Sequence, residues 1–275
     1  MDNYPMNTVL KDRITFWFNQ IVKDQEELGQ DPFGLDPSRI KFSVPAIDFL
    51  YNKYFRVQVH GISNIPSRNA LFVGNHSGQV PFDAMMVTAA LMFEMNPPVL
   101  LRSMLEKWVP TLPFVSEFFS AWGQATGTPE NFRILMERGE SILVFPEGIK
   151  GISKTIFEKY RLKKFPTGFY ELASEFKVPI IPTAVIGAEE QFPSIYNLKS
   201  IGKIFGAPGL PITPFFPILG PMGMLPLPVK YHIYFGPPIY PENVDENLEI
   251  NVKKVQEKIQ VLINRGLAER EGYFT

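Results

Sequence analysis

The chain has 275 residues, 45% of them hydrophobic, with 27 basic and 28 acidic side chains and a formal net charge of −1. That balance belongs to a folded globular protein and gives no whole-molecule field for nucleic acid, so no nucleic-acid partner is expected and any basic function must be local. The absence of cysteine excludes disulfides, thiolate metal sites and cysteine nucleophiles.

The amino-terminal MDNYPMNTVLKDR carries acidic residues and no apolar core, so it is not read as a signal peptide. Residues 8–28, TVLKDRITFWFNQIVKDQEEL, place Val9, Ile14, Phe18, Ile21 and Val22 near helical spacing beside Trp17. GQDPFGLDPSRI breaks that helix, and a second apolar segment, AIDFLYNKYF, follows it. Residues 1–55 are therefore read as a helical segment, a candidate membrane-facing appendage, and residues 56–275 as one α/β domain. FRVQVHG alternates like a half-buried strand.

From residue 70 the pattern becomes strand then helix. ALFVGN is a strand, followed by a helix beginning near Pro81; PVLLR is a strand, and EKWVPTLPFVSEFF a helical stretch broken by proline. PENFRILMERG has proline in its first turn and glycine at its end, a helical start and stop pair. SILVFPEG is a strand ending in a polar turn, PTGFYELASEFK a helix, and VPIIPTAVIGA and VKYHIYFGPPI are strands. The carboxyl-terminal LEINVKKVQEKIQVLINRGLAER is amphipathic, with Ile250, Val255, Ile259, Leu262 and Ile263 on one face. Alternating strands and helices predict a mostly parallel mixed sheet flanked by helices. No run of about 18 apolar residues is present, so no transmembrane helix is expected.

Three stretches carry chemistry. In FVGNHSGQVPFDAMM a histidine, His76, sits at the end of a strand, and Asp83 lies in the first turn of the next helix. A neutral imidazole can take a proton from an alcohol near pH 7, and a carboxylate fixes its tautomer and stabilises the imidazolium. A buried structural histidine and a helix-start aspartate explain the same spacing. In LVFPEGIKG, Glu147 is held between Pro146 and Gly148 at another strand end, where ligand sites of such sheets gather. Lys150, Lys154, Lys159, Arg161, Lys163 and Lys164 follow against one Glu158, a local basic patch suited to phosphate, coenzyme A or an anionic lipid surface, or a solvated loop. The third stretch, IFGAPGLPITPFFPILGPMGMLPLPV at 204–229, is apolar and uncharged yet too rich in proline and glycine for a helix. Either it packs under the core, or it dips into a membrane interface or lines an acyl-chain groove. His60 and His232 lie inside strands without nearby carboxylates and are read as structural.

GNHSGQVPFD, GQATGTPENFRILMERG, LVFPEGIKG and VPIIPTAVIG, in this order over residues 55–240, resemble the four motifs of the glycerolipid acyltransferase family, of the lysophosphatidic acid acyltransferase type. The resemblance implies a glycerol-3-phosphate acyltransferase-like fold. It implies a transferase of phospholipid biosynthesis that moves a fatty acyl group from acyl-CoA or acyl carrier protein to a glycerolipid hydroxyl. His76 would be the general base, Asp83 its orienting partner, and Glu147, Gly148 and Lys150 substrate-binding residues. No metal and no cofactor beyond the acyl donor is implied. The partners would be a lysophospholipid such as 1-acylglycerol 3-phosphate, the donor and a membrane surface, with peripheral localisation at the cytoplasmic face; a neutral mono- or diacylglycerol acceptor and a non-catalytic lipid-binding module are the alternatives. The chain departs from the family pattern twice. Six residues separate His76 from Asp83 where the family has four, and ATGTPEN lacks the arginine with which the second motif grips an acceptor phosphate.

Overall fold

The computed structural model describes residues 8–67, 69–77, 81–109, 115–198, 210–216, 218–241 and 247–274. Two helices lead, α1 (Thr8–Leu28) and α2 (Pro37–Phe49), the second passing into a π-turn over Leu50–Tyr54. Asp36 caps α2 by accepting from the Ser38 and Arg39 N–H groups, and Pro37 supplies a first-turn residue that needs no N–H partner. The α/β part then runs β1 (Gln58–His60), β2 (Leu71–Gly74), α3 (Phe82–Glu94), β3 (Leu101–Leu105), α4 (Val115–Ala121), β4 (Ala125–Thr126), α5 (Pro129–Glu137), β5 (Ser141–Val144) and α6 (Ile149–Ile152). It continues through α7 (Gly168–Glu175), β6 (Ile180–Ile186), β7 (Tyr196–Leu198), β8 (Leu210–Ile212), β9 (His232–Phe235) and α8 (Leu248–Glu269).

Seven strands form one sheet in the order β1-β9-β6-β2-β5-β3-β4, and β7 pairs with β8 in a separate hairpin. All ladders of the large sheet are parallel except β6 with β9. The central strands β2 and β6 are buried along their whole length, which is why LFVG and IIPTAVI read as continuous apolar runs. Pro182 is tolerated inside β6 because its carbonyl side faces Gly236, beyond the last β6–β9 pair of Thr183 with Phe235, where no ladder N–H is required. The edge strands β1 and β4 have three and two residues, short enough to limit further pairing.

One face of the sheet is covered by α1, α2 and α3, whose Ile14, Trp17, Val44, Ile47, Met86 and Leu91 share a cluster with Phe72 and Val185. The other face is covered by α5, α7 and α8, with Phe132, Ala173, Val255 and Ile259 packed on Leu71, Val73 and Ile180. Arg102 of β3 is fully buried and ties the α1–α2 link to the sheet: its guanidinium donates to both oxygens of Asp31, at 3.0 and 2.8 Å, and to Glu140 at 2.9 Å.

Several boundaries differ from the sequence reading. PVLLR is entered late, at Leu101: Pro98 carries no N–H, and the Val99 N–H is donated to the Leu91 carbonyl near the end of α3. In EKWVPTLPFVSEFF the α-helical part among the described residues is α4, and 110–114 lie outside them. The buried face of α8 is Val252, Val255, Ile259, Ile263 and Gly266, whereas Ile250 is exposed; the stripe begins two residues later than the periodicity suggests. The described part of 204–229 is mixed. Thr213 and Val229 are buried, while Ile218, Leu219, Met222 and Leu225 are exposed, and 204–209 and 217 lie outside the described residues.

Candidate active site

β2, β5 and β6 run parallel, so their carboxyl ends open on one edge of the sheet, and each contributes a turn there. Asn75 follows β2 and locks it to β6: its Nδ2 donates to the Val185 carbonyl at 3.0 Å and its Oδ1 accepts the Val185 N–H at 2.8 Å. This amide pair fixes where the next residue, His76, leaves the sheet.

His76 and Asp83 are brought together. Nδ1 of His76 lies 2.7 Å from Oδ2 of Asp83, although residues 78–80 between them lie outside the described residues. The carboxylate can only accept, so the ring proton sits on Nδ1 and the lone pair on Nε2. Asp83 is fully buried in the first turn of α3, where the helix N-terminus favours its charge. Its Oδ2 also accepts the Ser77 N–H at 2.9 Å and the Ser77 hydroxyl at 3.3 Å, and its Oδ1 accepts the Ala84 N–H at 2.8 Å. The His76 ring stacks on Phe145 with centroids 4.4 Å apart and planes 8° from parallel. One face and one edge of the imidazole are therefore fixed, and Nε2 is left to meet a proton-bearing group. Phe145 was not among the site residues taken from the sequence; its place in FPEG, next to Glu147 at a strand end, was the available signal.

The turn after β5 supplies the second half. Gly148 adopts φ 52°, ψ −142°, a backbone conformation open to glycine, and an added Cβ there would lie 2.6 Å from Glu106 Oε1. Gly151, in the short helix α6, packs directly on the site: a Cβ there would lie 2.8 Å from Glu147 Cβ and 3.0 Å from His76 Cβ. Glu147 is buried and faces inward. Its Oε1 accepts the His76 N–H at 3.1 Å and its Oε2 the Lys163 N–H at 2.9 Å, while Lys154 Nζ lies 2.9 and 2.8 Å from the two oxygens. A substrate could bind this carboxylate only by displacing one of those donors. Lys150 is exposed on α6 beside Gly148.

The basic patch of the sequence reading is mostly neutralised within the fold. Lys154 is buried between Glu147 and Glu189; Lys159 pairs with Glu190, Lys163 with Glu158 and Lys164 with Glu249. Lys150 and Arg161 make no ion pair among the described residues. Below Lys154, the Glu190 carboxylate receives the Tyr160 hydroxyl and Arg270, the latter at 2.8 Å, and Tyr160 in turn accepts the Gly187 N–H at 2.8 Å. Burial pushes the Glu189 carboxyl up to about 7, against the lowering pull of Lys154.

The two arginines after ATGTPEN do not reach this edge. Thr128 caps α5, which runs back antiparallel to the strands; Arg133 pairs with exposed Glu175, and Arg138 lines a cavity of about 350 Å³ at the amino ends of β2, β3 and β5. His60 and His232 lie on neighbouring strands, with the His60 ring stacked on Tyr234 at 4.2 Å and on His232 at 5.8 Å.

An imidazole oriented by a buried carboxylate, at the carboxyl end of a parallel strand and beside a glycine-flanked turn, defines an acid–base site able to act on a hydroxyl. A family model described as Acyltransferase matches residues 56–186, which hold all of these groups. An uncharacterized protein of Mycobacterium leprae (strain TN) is 37% identical over 254 residues, covering 89% of this chain and 69% of that protein. A Gallus gallus protein named "DGAT1/2-independent enzyme synthesizing storage lipids" is 26% identical over 211 residues, 76% of this chain and 59% of that one. The crystal structure of the 1-acyl-sn-glycerophosphate acyltransferase PlsC from Thermotoga maritima covers 97% of this chain and 98% of its own, with a TM-score of 0.54 at 17% identity, a likeness of fold. Residues 56–186 place the chain in the acyltransferase family, and its fold is like that of the glycerophosphate acyltransferase.

Proposed function

We propose that the chain is a membrane-associated O-acyltransferase that moves a fatty acyl group from acyl-CoA or acyl carrier protein to the hydroxyl of a lysophospholipid such as 1-acylglycerol 3-phosphate. The observation that carries this reading is the 2.7 Å contact of His76 Nδ1 with Asp83, made despite the longer sequence separation. His76 Nε2 takes the proton of the acceptor hydroxyl as its oxygen attacks the thioester carbonyl. The tetrahedral intermediate collapses with loss of the thiolate, and the imidazolium returns the proton to that thiolate. No acyl-enzyme is formed, so no cysteine is required. Gly148 and exposed Lys150 follow Glu147 in the same turn, where the lysine supplies a cation for an acceptor phosphate or the donor's phosphates.

Exposed Ile218, Leu219, Met222 and Leu225, in a described segment without charged residues, support contact with a bilayer. No helix among the described residues is long and apolar enough to cross a membrane.

A neutral mono- or diacylglycerol acceptor is the second reading. It is favoured by the pairing of Lys154, Lys159, Lys163 and Lys164 with carboxylates and by the placement of Arg133 and Arg138 away from the site. Purified protein, labelled acyl-CoA and labelled acyl carrier protein as donors, and vesicles carrying lysophosphatidic acid or monoacylglycerol separate the two. Transfer to lysophosphatidic acid at the higher kcat/KM supports the first reading, transfer only to the neutral acceptor the second, and transfer to neither contradicts both.

A further inference from the structure

Lys154 stands apart from the other cations of its segment. Its side chain is 4% exposed, and its ammonium lies between the carboxylates of Glu147, at 2.8 Å, and Glu189, at 3.3 Å. A lysine is rarely buried this far unless it is paired, and here the pair is part of a chain of contacts that ends at the imidazole. Lys154 holds both oxygens of Glu147; Glu147 accepts the backbone N–H of His76 and, 16 residues along the sequence, the N–H of Lys163; Gly151 fills the space against the Cβ atoms of both His76 and Glu147. Glu189 is anchored on its far side by the Tyr160 N–H at 2.7 Å.

We propose that Lys154 is a positioning residue for acyl transfer: its ammonium fixes the Glu147 carboxylate, and that carboxylate fixes the His76 backbone, so that the ring meets Asp83 and Phe145 in one orientation. The proposal rests on the reading of His76 as the base. It follows from the geometry of three contacts and assigns Glu147 a role within the protein rather than on the substrate. With Glu189 pushed up to about 7 by burial, the Lys154 charge is directed chiefly to Glu147 at and below neutral pH. Without the ammonium, Glu147 would lose the donor that bridges its two oxygens and holds them against the His76 and Lys163 N–H groups.

The test compares Lys154→Gln, which keeps an N–H donor and loses the charge, with Lys154→Arg, which keeps the charge. In an acyl-transfer assay Lys154→Gln is expected to lower kcat at least tenfold, with KM for donor and acceptor within about twofold of the parent. The acidic limb of its kcat/KM pH profile should also shift, and Lys154→Arg should recover most of the loss. The His76 amide, read by two-dimensional NMR and hydrogen exchange, is expected to be protected in the parent protein and to lose protection in Lys154→Gln. A folded Lys154→Gln protein with parental kcat, pH profile and His76 amide would overturn the proposal and leave Lys154 a packing residue. Unprotected exchange of the His76 amide in the parent protein would overturn it without any variant. If the parent transfers no acyl group to any acceptor, the functional reading fails, and the amide measurements still decide whether Lys154 fixes the His76 backbone.

Discussion

The pair His76 and Asp83 is a device for holding a proton on the correct nitrogen. Asp83 Oδ2 accepts from Nδ1, from the Ser77 N–H and from the Ser77 hydroxyl, while Oδ1 accepts from the Ala84 N–H. Asparagine cannot satisfy this set, because one of its two terminal atoms is a donor wherever the amide is flipped. Asp83→Asn is therefore expected to lower kcat by roughly 10²–10⁴ while costing about 1–3 kcal/mol in stability, read by steady-state kinetics and urea unfolding. Gly151→Ala probes the other side of His76. The new methyl group meets Cβ atoms that cannot swing away, so the histidine or the turn carrying Glu147 must move. A fall in kcat of tenfold or more, out of proportion to any change in Tm, is expected; unchanged kcat would show that the turn yields without moving the ring. In the sequence His76 stands at a strand end and Asp83 at a helix start, which leaves a structural explanation open; the resemblance of GNHSGQVPFD to the first acyltransferase motif is what gives the pair an acid–base task. Phe145 and Lys154 were not legible there, since a stacked phenylalanine and a buried lysine look like a core residue and a surface charge until the fold sets them beside His76.

At the scale of elements, alternation of apolar strands with amphipathic helices was enough to give the layered α/β arrangement, because each strand of the parallel core is buried on both faces and each helix on one. Sequence could not fix the strand order or the single antiparallel ladder between β6 and β9, which depend on long-range pairing. It also left the segment 150–164 open between a basic patch and a solvated loop, whereas Lys154, Lys159 and Lys164 meet carboxylates from other parts of the fold, two of them from the turn after β6, and Lys163 pairs with Glu158 of the segment itself. The segment around the 3₁₀ turn Gly220–Met224 was left open between core and membrane, and the structure divides it. Thr213 turns in, accepting the Phe215 and Phe216 N–H groups, while Ile218 and Leu219 turn out, 81% and 56% exposed. Replacing both with serine removes apolar area without touching the core. Binding to phospholipid vesicles in a sedimentation assay is expected to fall roughly tenfold, with Tm unchanged. Equal binding by the double variant would remove this segment from the membrane contact.

For the molecule as a whole, the buried titratable groups set how stability responds to pH. His232 is packed against His60 and near Lys230 and Arg270, with Glu269 opposing them; burial leads these effects and lowers its pKa from 6.5 to about 4. Between those values the unfolded chain takes up a proton that the folded chain refuses, so this group removes stability as pH falls from about 6.5 to about 4. Glu189 has the opposite sign. Its folded pKa of about 7 exceeds the ordinary 4.5, so the folded state holds the extra proton, and stability is lost as pH rises from about 4.5 through 7. The two trends oppose one another across their shared range. His232→Gln should unmask the Glu189 trend, and its unfolding free energy relative to the parent is expected to rise by about 3 kcal/mol as pH is lowered from 7 to 4. A difference that does not change with pH would mean that His232 keeps an ordinary pKa in the fold.

Acyl transfer by the parent protein and by His76→Ala, with labelled acyl-CoA and vesicles carrying lysophosphatidic acid or monoacylglycerol, tests the assignment of His76 as the base most directly. Transfer by the parent, with kcat lowered by roughly 10²–10⁴ in a His76→Ala protein of unchanged fold and Tm, is the expected result. Full activity in folded His76→Ala would contradict it.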